Sequence, residues 1–303
     1  MRDKHQRYEC LSCGLRFQNR KRPKQRRLDL WNQYVWGKQT LAQLSERYQR
    51  SIPWIQKELD ETKLVFQDRE PKPLVLAADV SFFSRGDGVL VVRSPKLKRN
   101  VFWTFVKGEN PLIYRDARQT LESEGFVFLG VVLDGRKGVR EVFSGIPVQM
   151  CHFHQKQILR RYLTLKPKLE AGQELLALGK ILPFSKESDF VCLLEEWFLR
   201  WEDFLKEKTY TDDEKHFHYT HKKIRSAYHS LRNNLPYLFT FQRYPELHMS
   251  NTTNTLDGYF SQMKKLLRVH NGLSEERRNK VVEAILNGES ERKTKRIAPR
   301  KIN

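Results

Sequence analysis

The sequence lacks any apolar run approaching the ~20 residues that a membrane-spanning helix needs. Its first residues, Met1-Arg-Asp-Lys-His5, are too polar to head a secretory signal. No membrane partner is expected, and the expected location is the cytoplasm, in association with the nucleoid. Cysteine is scarce: 4 residues in 303, two of them in a single C-x-x-C. That is no disulfide framework and fits reduced thiols. Acidic residues are outnumbered, 36 Asp+Glu against 56 Lys+Arg, which leaves a net charge of +20. A surplus of that size is the footprint of a polyanionic partner, with nucleic acid the expected one. What the chain does have is 39% hydrophobic and 12% aromatic content. That is enough for one large domain and smaller ones beside it.

The most informative stretch is Leu74-Val-Leu-Ala-Ala-Asp-Val-Ser-Phe-Phe83. A continuous apolar run of this kind reads as a buried strand. One carboxylate, Asp79, stands in its middle. Such a group costs several kcal/mol of desolvation unless a positive group or a metal meets it.

Toward the N-terminus, Cys10-Leu-Ser-Cys13-Gly14 looks like one knuckle of a zinc ribbon. No second C-x-x-C follows, so a closed four-ligand site is not expected from Cys10 and Cys13 alone. The expectation is a half-knuckle whose upstream partner is missing. Asn19 to Arg27 is a basic arm suited to phosphates. Leu28, Leu30, Trp31, Tyr34 and Val35 follow at helical spacing. Thr40 and Gln43 fit a capping box for a second helix, and Ser51 with Pro53 opens a third. Two short helices joined by about three residues, after a third helix, are the pattern of a helix-turn-helix. Ser51 to Glu61 would then be the recognition helix, with Gln56 and Lys57 as DNA contacts.

Beyond a linker at 67–73 the periodicity changes. Strands are predicted over 74–83, 89–93, 100–106, 126–133 and 146–151. Helices are predicted over 111–124, 136–143 and 153–163, with a hairpin turn at Arg85-Gly-Asp-Gly88. The order β-β-β-α-β-α-β-α makes a mixed α/β sheet in which the first and fourth strands are neighbours. Asp134 closes the fourth strand, so it and Asp79 would meet beyond the strand ends, where open sheets bind ligands. Facing carboxylates are stable when a divalent cation bridges them, and hard oxygen ligands select Mg²⁺ or Mn²⁺. For Asp134, ordinary Asp-Gly turn chemistry is the competing account.

Residues 153–245 are strongly helical in pattern, with Trp197 and Trp201 as core positions and His216, His218 and His221 on a solvated face. A further helix follows, capped at Thr253 or Asn254. Its apolar stripe is Leu256, Phe260, Met263 and Leu267. Asp257, Ser261, Lys264 and Arg268 share the neighbouring face. The acid could complete a metal set while Lys264 and Arg268 take phosphates. A first-turn acid that complements the helix dipole is the competing account.

Taken together, four segments resemble the mutator-like DDE transposases of bacterial insertion sequences, relatives of the plant Mutator elements. They are Ala78-Asp79, Leu133-Asp134-Gly135, the C-x-x-H of Cys151-His-Phe-His154, and Thr253 to Lys264 with His270-Asn-Gly272. The resemblance covers most of the chain, to about residue 285. It implies a ribonuclease-H-like core interrupted by an all-helical insertion. It also implies two Mg²⁺ ions held by three acids, by position Asp79, Asp134 and Asp257. The family's third acid is usually Glu, one methylene longer than Asp257. Cys151 and His154 are expected to be structural neighbours of the site.

The implied domains are a half-knuckle and basic arm (1–27), the helix-turn-helix (28–66), the linker (67–73), the first part of the core (74–167), the helical insertion (168–245), the acid-bearing helix (246–285) and a basic tail (286–303). The implied activity is strand cleavage and strand transfer on duplex DNA. The implied DNA partners are terminal inverted repeats and target DNA, held by at least a homodimer. A decayed transposase acting as a DNA-binding repressor, or a structure-specific nuclease, is the alternative.

Overall fold

Short polar caps and left-handed turn residues set the element boundaries in the computed structural model, which describes residues 7–9, 16–18, 23–64, 66, 70–136, 138–210 and 216–295. The chain forms two compact units: Asp68–Ser261, and Met1–Gln67 together with Gln262–Asn303.

The chain begins with antiparallel β1 (Arg7–Glu9) and β2 (Arg16–Gln18). Cys10 and Cys13 lie outside the described residues. Helices α1 (Pro23–Val35), α2 (Leu41–Tyr48) and α3 (Ile52–Asp60) follow. The capping box forms: Gln43 N donates to Thr40 Oγ1, and Thr40 N donates to Gln43 Oε1 at 2.9 Å. Gln49 then adopts a left-handed φ of 49°, which ends α2 three residues before α3 begins. Ser51 is the N-cap of α3, but its side chain makes no capping bond. Leu30, Trp31, Leu44, Ile55 and Leu59 are buried among these helices, each contributing roughly 1.5–3 kcal/mol.

The larger unit is built on β3 (Pro73–Ser84), β4 (Asp87–Ser94) and β5 (Arg99–Val106), an antiparallel meander. Arg85 and Gly86 make the first turn, with Gly86 at φ 84°. Next come α4 (Pro111–Ser123), β6 (Val127–Leu133), α5 (Val139–Val142), β7 (Val148–Met150) and α6 (His152–Leu163). The sheet order is β5-β4-β3-β6-β7, with β3, β6 and β7 mutually parallel, so this is a mixed five-stranded α/β sheet. The predicted neighbours, first and fourth strand, are paired. Leu76, Ala78, Leu90, Leu121, Val131 and Leu133 form its core. Helix α5 is shorter than predicted because Gly138, at φ 84°, is its N-cap. Strand β7 is also shorter than predicted.

A helical block follows: α7 (Glu170–Ile181), α8 (Glu187–Lys206), α9 (Lys222–Leu238) and α10 (Thr240–Arg243). It is not all helical. β8 (Lys208–Tyr210) and β9 (Phe217–Tyr219) form an antiparallel pair between α8 and α9. Aromatic residues explain the departure, with Tyr210 and Phe217 rings 6.0 Å apart and Lys208 Nζ 4.1 Å from the Phe217 ring. Trp197 is buried and donates to Ala171 O at 3.1 Å, whereas Trp201 donates to Glu174 at 2.8 Å.

Helix α11 (Asn254–Val269) begins in the sheet unit, and from Gln262 onward its residues group with the N-terminal helices, as does α12 (Glu275–Lys295). The sequence pattern assigns 246–285 to the sheet-bearing core, whereas Gln262 onward groups with the N-terminal helices. The physical reason for the difference is α12. Arg277 bonds Asp60 at 2.9 and 2.7 Å, and Lys280 Nζ donates to Leu59 O and Asp60 O, both at 2.7 Å. Those carbonyls lie at the end of α3, where Leu59 O also accepts from Thr62 N at 3.2 Å. Among the described residues no helix is long and apolar enough to cross a membrane.

Candidate metal centre at the strand ends

The register of the parallel pair places the first two acids. Ala77 is opposite Val132. Asp79 and Asp134, each two residues further on, therefore leave the ladder at the same level. Asp79 remains paired with β4 through Val91 and is 8% exposed. Its Oδ1 accepts from Val80 N at 2.8 Å. Asp134 is half-buried in the loop after β6, and its Oδ1 accepts from Arg136 N at 2.9 Å.

The third acid, Asp257, lies in the first turn of α11. It arrives through Cys151. At the end of β7, Cys151 N donates to Leu133 O at 2.8 Å, which ties it to the strand that carries Asp134. The Cys151 thiol accepts from Thr253 N at 3.3 Å, and Thr253 Oγ1 lies 3.3 Å from both this sulfur and Asp257 Oδ2. One hydroxyl proton serves two acceptors there, so the chain Cys151–Thr253–Asp257 is a shared hydrogen-bond network. His152 N, bonded to Asn251 O at 2.9 Å, closes the same junction.

Cys151 is also the N-cap of α6, which puts His154 on the third residue of that helix. One ligand atom from each of Asp79, His154 and Asp257 lies within 4.8 Å of the others. Asp134 stands outside that limit but acts electrostatically on both Asp79 and His154. Nδ1 of His154 is shielded and has no hydrogen-bond partner of good geometry, although the ring interacts with the Cys151 thiol. His152, the other histidine of the C-x-x-H segment, is buried, bonds Leu238 O at 2.6 Å and is pushed down to about 4 by that burial. It is a core residue.

Burial raises the Asp79 carboxyl to about 7, with Asp134 and Asp257 adding to the rise and His154 and the Val80 amide opposing it. For His154 burial works the other way, yet the thiol, Asp79 and Asp134 outweigh it and lift the imidazole to about 9. The Cys151 thiol is lowered: burial would raise it, but the adjoining His154 ring and the hydrogen bonds from Thr253 win. The positive group nearest Asp79 is thus the His154 ring, whose proton is held first by the Cys151 thiol and then by Asp79 and Asp134.

The donor set still fits a divalent metal. The carboxylates of Asp79 and Asp257 meet beside His154, with Asp134 adjoining, and Asp79 is desolvated there; His154 would have to give up its proton before its ring nitrogen could join them. Of the residues named from sequence, the structure brings Asp79, Asp257 and His154 together, with Asp134 adjoining. Lys264 and Arg268 lie further along α11, among residues that group with the other unit. Gln56 is half-buried and Lys57 exposed on α3. Sequence reasoning gave His154 too small a part. The i, i+3 spacing of Cys151 and His154 at a helix start was the available signal. Thr253 was considered only as a cap. No protein-family model matches the chain, and no curated protein matches it.

Proposed function

We propose that this protein is a DNA transposase of the mutator-like DDE type, with a ribonuclease-H-like core that cuts and joins DNA strands at element ends. The observation that carries the reading is the meeting of Asp79 and Asp257, from opposite ends of the sheet unit's sequence, in one half-buried cluster. The mixed sheet, with its acids at the ends of parallel strands, supports it. So does the surplus of 20 positive charges. Asp79, Asp134 and Asp257 would hold Mg²⁺ or Mn²⁺, which when bound activates an oxygen nucleophile and offsets charge on the transferring phosphoryl group.

The chain's own residues prepare that chemistry. The rigid centre of β3 fixes Asp79, and the Asp134 loop adds a second carboxylate at the same level. The Cys151–Thr253 bonds hold the start of α11, which sets the reach of Asp257, one methylene shorter than the family's glutamate. Protonated His154 keeps the carboxylates together until a metal arrives. In the other unit, α2 and α3 would grip the terminal repeats of the duplex. Pairing of two element ends would require at least a dimer.

A second reading has an observation behind it. The His154 imidazolium already balances Asp79, as it would in a DNA-binding protein that no longer catalyses. Incubating wild type and Asp79→Asn with duplex DNA and Mg²⁺ or Mn²⁺ separates the two. The transposase reading expects cleavage by wild type alone. Equal inactivity with equal DNA binding would leave the repressor reading. Cleavage of branched DNA without preference for element ends would make it a nuclease.

A further inference from the structure

Arg136 is the first basic side chain after Asp134, and its surroundings are built rather than incidental. Its backbone N–H bonds Asp134 Oδ1 at 2.9 Å. Its guanidinium Nη1 donates to Glu109 Oε2 at 2.6 Å. Glu109 in turn accepts from the Tyr114 hydroxyl at 2.8 Å through its other oxygen. The Glu109 side chain is 11% exposed and that of Arg136 48%, so the pair has a sheltered anchor and an open end. Tyr114 is almost wholly buried in the sheet core, which gives the anchor a fixed base.

The loop itself has little freedom. Gly135 holds φ 87°, and a Cβ there would lie 2.5 Å from the Met150 side chain. Arg136 thus leaves the strand from a constrained loop, and Glu109 anchors its guanidinium through Nη1. A guanidinium has five N–H donors in a rigid fork. Among the described residues, Glu109 is the one side chain bonded to that fork, and the Arg136 side chain is 48% exposed on the loop that carries Asp134. An arginine that served only to tie its loop would not need a carboxylate braced from below by a buried tyrosine.

We infer that Arg136 is a phosphate ligand for the nucleic-acid strand entering the acid cluster, and that Glu109, steadied by Tyr114, is its positioning residue. The assignment rests on the DNA-transferase reading above. It meets an electrostatic need of that reading: three carboxylates repel a phosphodiester before any metal is counted. A bidentate guanidinium offsets that repulsion at one phosphate, with more geometric definition than a lysine gives.

The test is equilibrium binding of a 30-base-pair duplex by the full chain in Ca²⁺, across a salt series, with Mn²⁺ binding and thermal unfolding measured alongside. Arg136→Ala is expected to weaken duplex binding on the order of tenfold at low salt and to reduce the log–log salt slope by about 0.9, the signature of one lost phosphate contact. Arg136→Lys should keep the slope but recover only part of the affinity. Glu109→Ala should keep the slope and weaken binding less than Arg136→Ala, because the cation remains but is no longer aimed. Mn²⁺ affinity should stay within about twofold throughout. If Arg136→Ala folds, binds Mn²⁺ and shows wild-type affinity and slope, Arg136 is a loop tie and the proposal falls. Should Arg136→Ala fail to fold, an unchanged affinity for Arg136→Lys with an unchanged profile for Glu109→Ala would overturn it equally. A wild-type chain that binds Mn²⁺ but no duplex would overturn both this inference and the DNA-transferase reading.

Discussion

Two carboxylates of this protein expose similarly little surface and are oppositely tuned, Asp79 being the more deeply buried of the two. Glu58 on α3 is 7% exposed and Asp79 on β3 is 8% exposed. Glu58 sits below the usual glutamate range. Burial pushes it up, but the Arg27 guanidinium at 3.0 Å and Arg26 at 3.5 Å pull it down further. Asp79 is driven up to about 7 by burial, and its carboxylate neighbours push the same way. Glu58 is covered by a layer of arginine side chain, which supplies charge along with the cover. Asp79 is covered by sheet, and Asp134 and Asp257 converge on it. A structural carboxylate brings its cations, whereas a carboxylate kept for chemistry is left short of them. By that measure the α1–α3 trio is a finished scaffold, and the strand ends hold a charge problem that one histidine relieves only in part.

The sharpest way to break the comparison is Asp79→Asn. It should abolish metal-dependent strand cleavage, by on the order of 10³-fold or more, since a metal-held oxygen supplies several kcal/mol. Metal-free in EDTA at pH 8, the same variant should be more stable than wild type by about 1–3 kcal/mol, because a desolvated charge is gone. Thermal unfolding reads the second effect independently of activity. A loss of stability would mean that the Asp79–His154 pair is a net stabiliser and the charge problem is already solved.

The pH dependence follows from the same two groups. Asp79 lies above its ordinary value of 3.8, so in EDTA its contribution is most favourable below pH 3.8 and is lost as pH rises through about 7. His154, raised from 6.5 to about 9, contributes stability that is whole below pH 6.5 and lost as pH rises through 9. Metal binding needs the ionised acid and opposes both trends. Mn²⁺ affinity should fall close to tenfold per pH unit below about 7. Calorimetry in buffers of different ionisation enthalpy should find about one proton released per ion bound at pH 6. Affinity flat from pH 5 to 8 would contradict the assignment of Asp79 as a ligand.

Cys151 carries a smaller effect. Its thiol accepts from Thr253 N and binds no described metal group of its own. Cys151→Ala leaves that buried amide without an acceptor, at a cost of about 2 kcal/mol, and loosens the start of α11. Cys151→Ser restores an acceptor and should recover at least half of the stability and of the Mn²⁺ affinity. If serine behaves like alanine, the bond to Thr253 is not what matters.

The sheet was readable because its strands are runs of Val, Leu and Phe broken by Gly pairs, and because a meander followed by crossovers leaves few strand orders. Asp79 and Asp134 were readable for the same reason: register follows from topology. Other features were hidden by the range of the interaction. The pairing of α12 with α3 depends on Arg277 and Lys280 meeting Asp60 across more than 200 positions, and no local pattern announces it. The β8–β9 hairpin lay inside strong helical periodicity, and its strands are three residues each. Glu109 carries no local sequence signal of its own. What singles it out is Tyr114 from below and Arg136 from the side, both of which depend on the folded loop. His154 is legible as a neighbour of the site from the C-x-x-H, since an N-cap and the third helical residue share a face, but its closeness to Asp79 and Asp257 is set by the fold.

Glu58→Gln is the complementary and smallest test. Here the charge is already balanced, so its removal should cost rather than gain. The pair is close to solvent and its arginines are 43% and 32% exposed, so the loss should be about 0.5 kcal/mol, as for exposed ion pairs. Its pH signature is opposite in sign to that of Asp79. Glu58 lies below its ordinary 4.5, so its contribution is complete above pH 4.5 and disappears as pH falls through the lower folded value. Mn²⁺ affinity should not move. Unfolding curves of the two variants should therefore diverge at pH 8, with Asp79→Asn above wild type and Glu58→Gln just below it. Should both fall together, shared burial would outweigh the difference in partners, and the distinction between scaffold and site drawn from these carboxylates would fail.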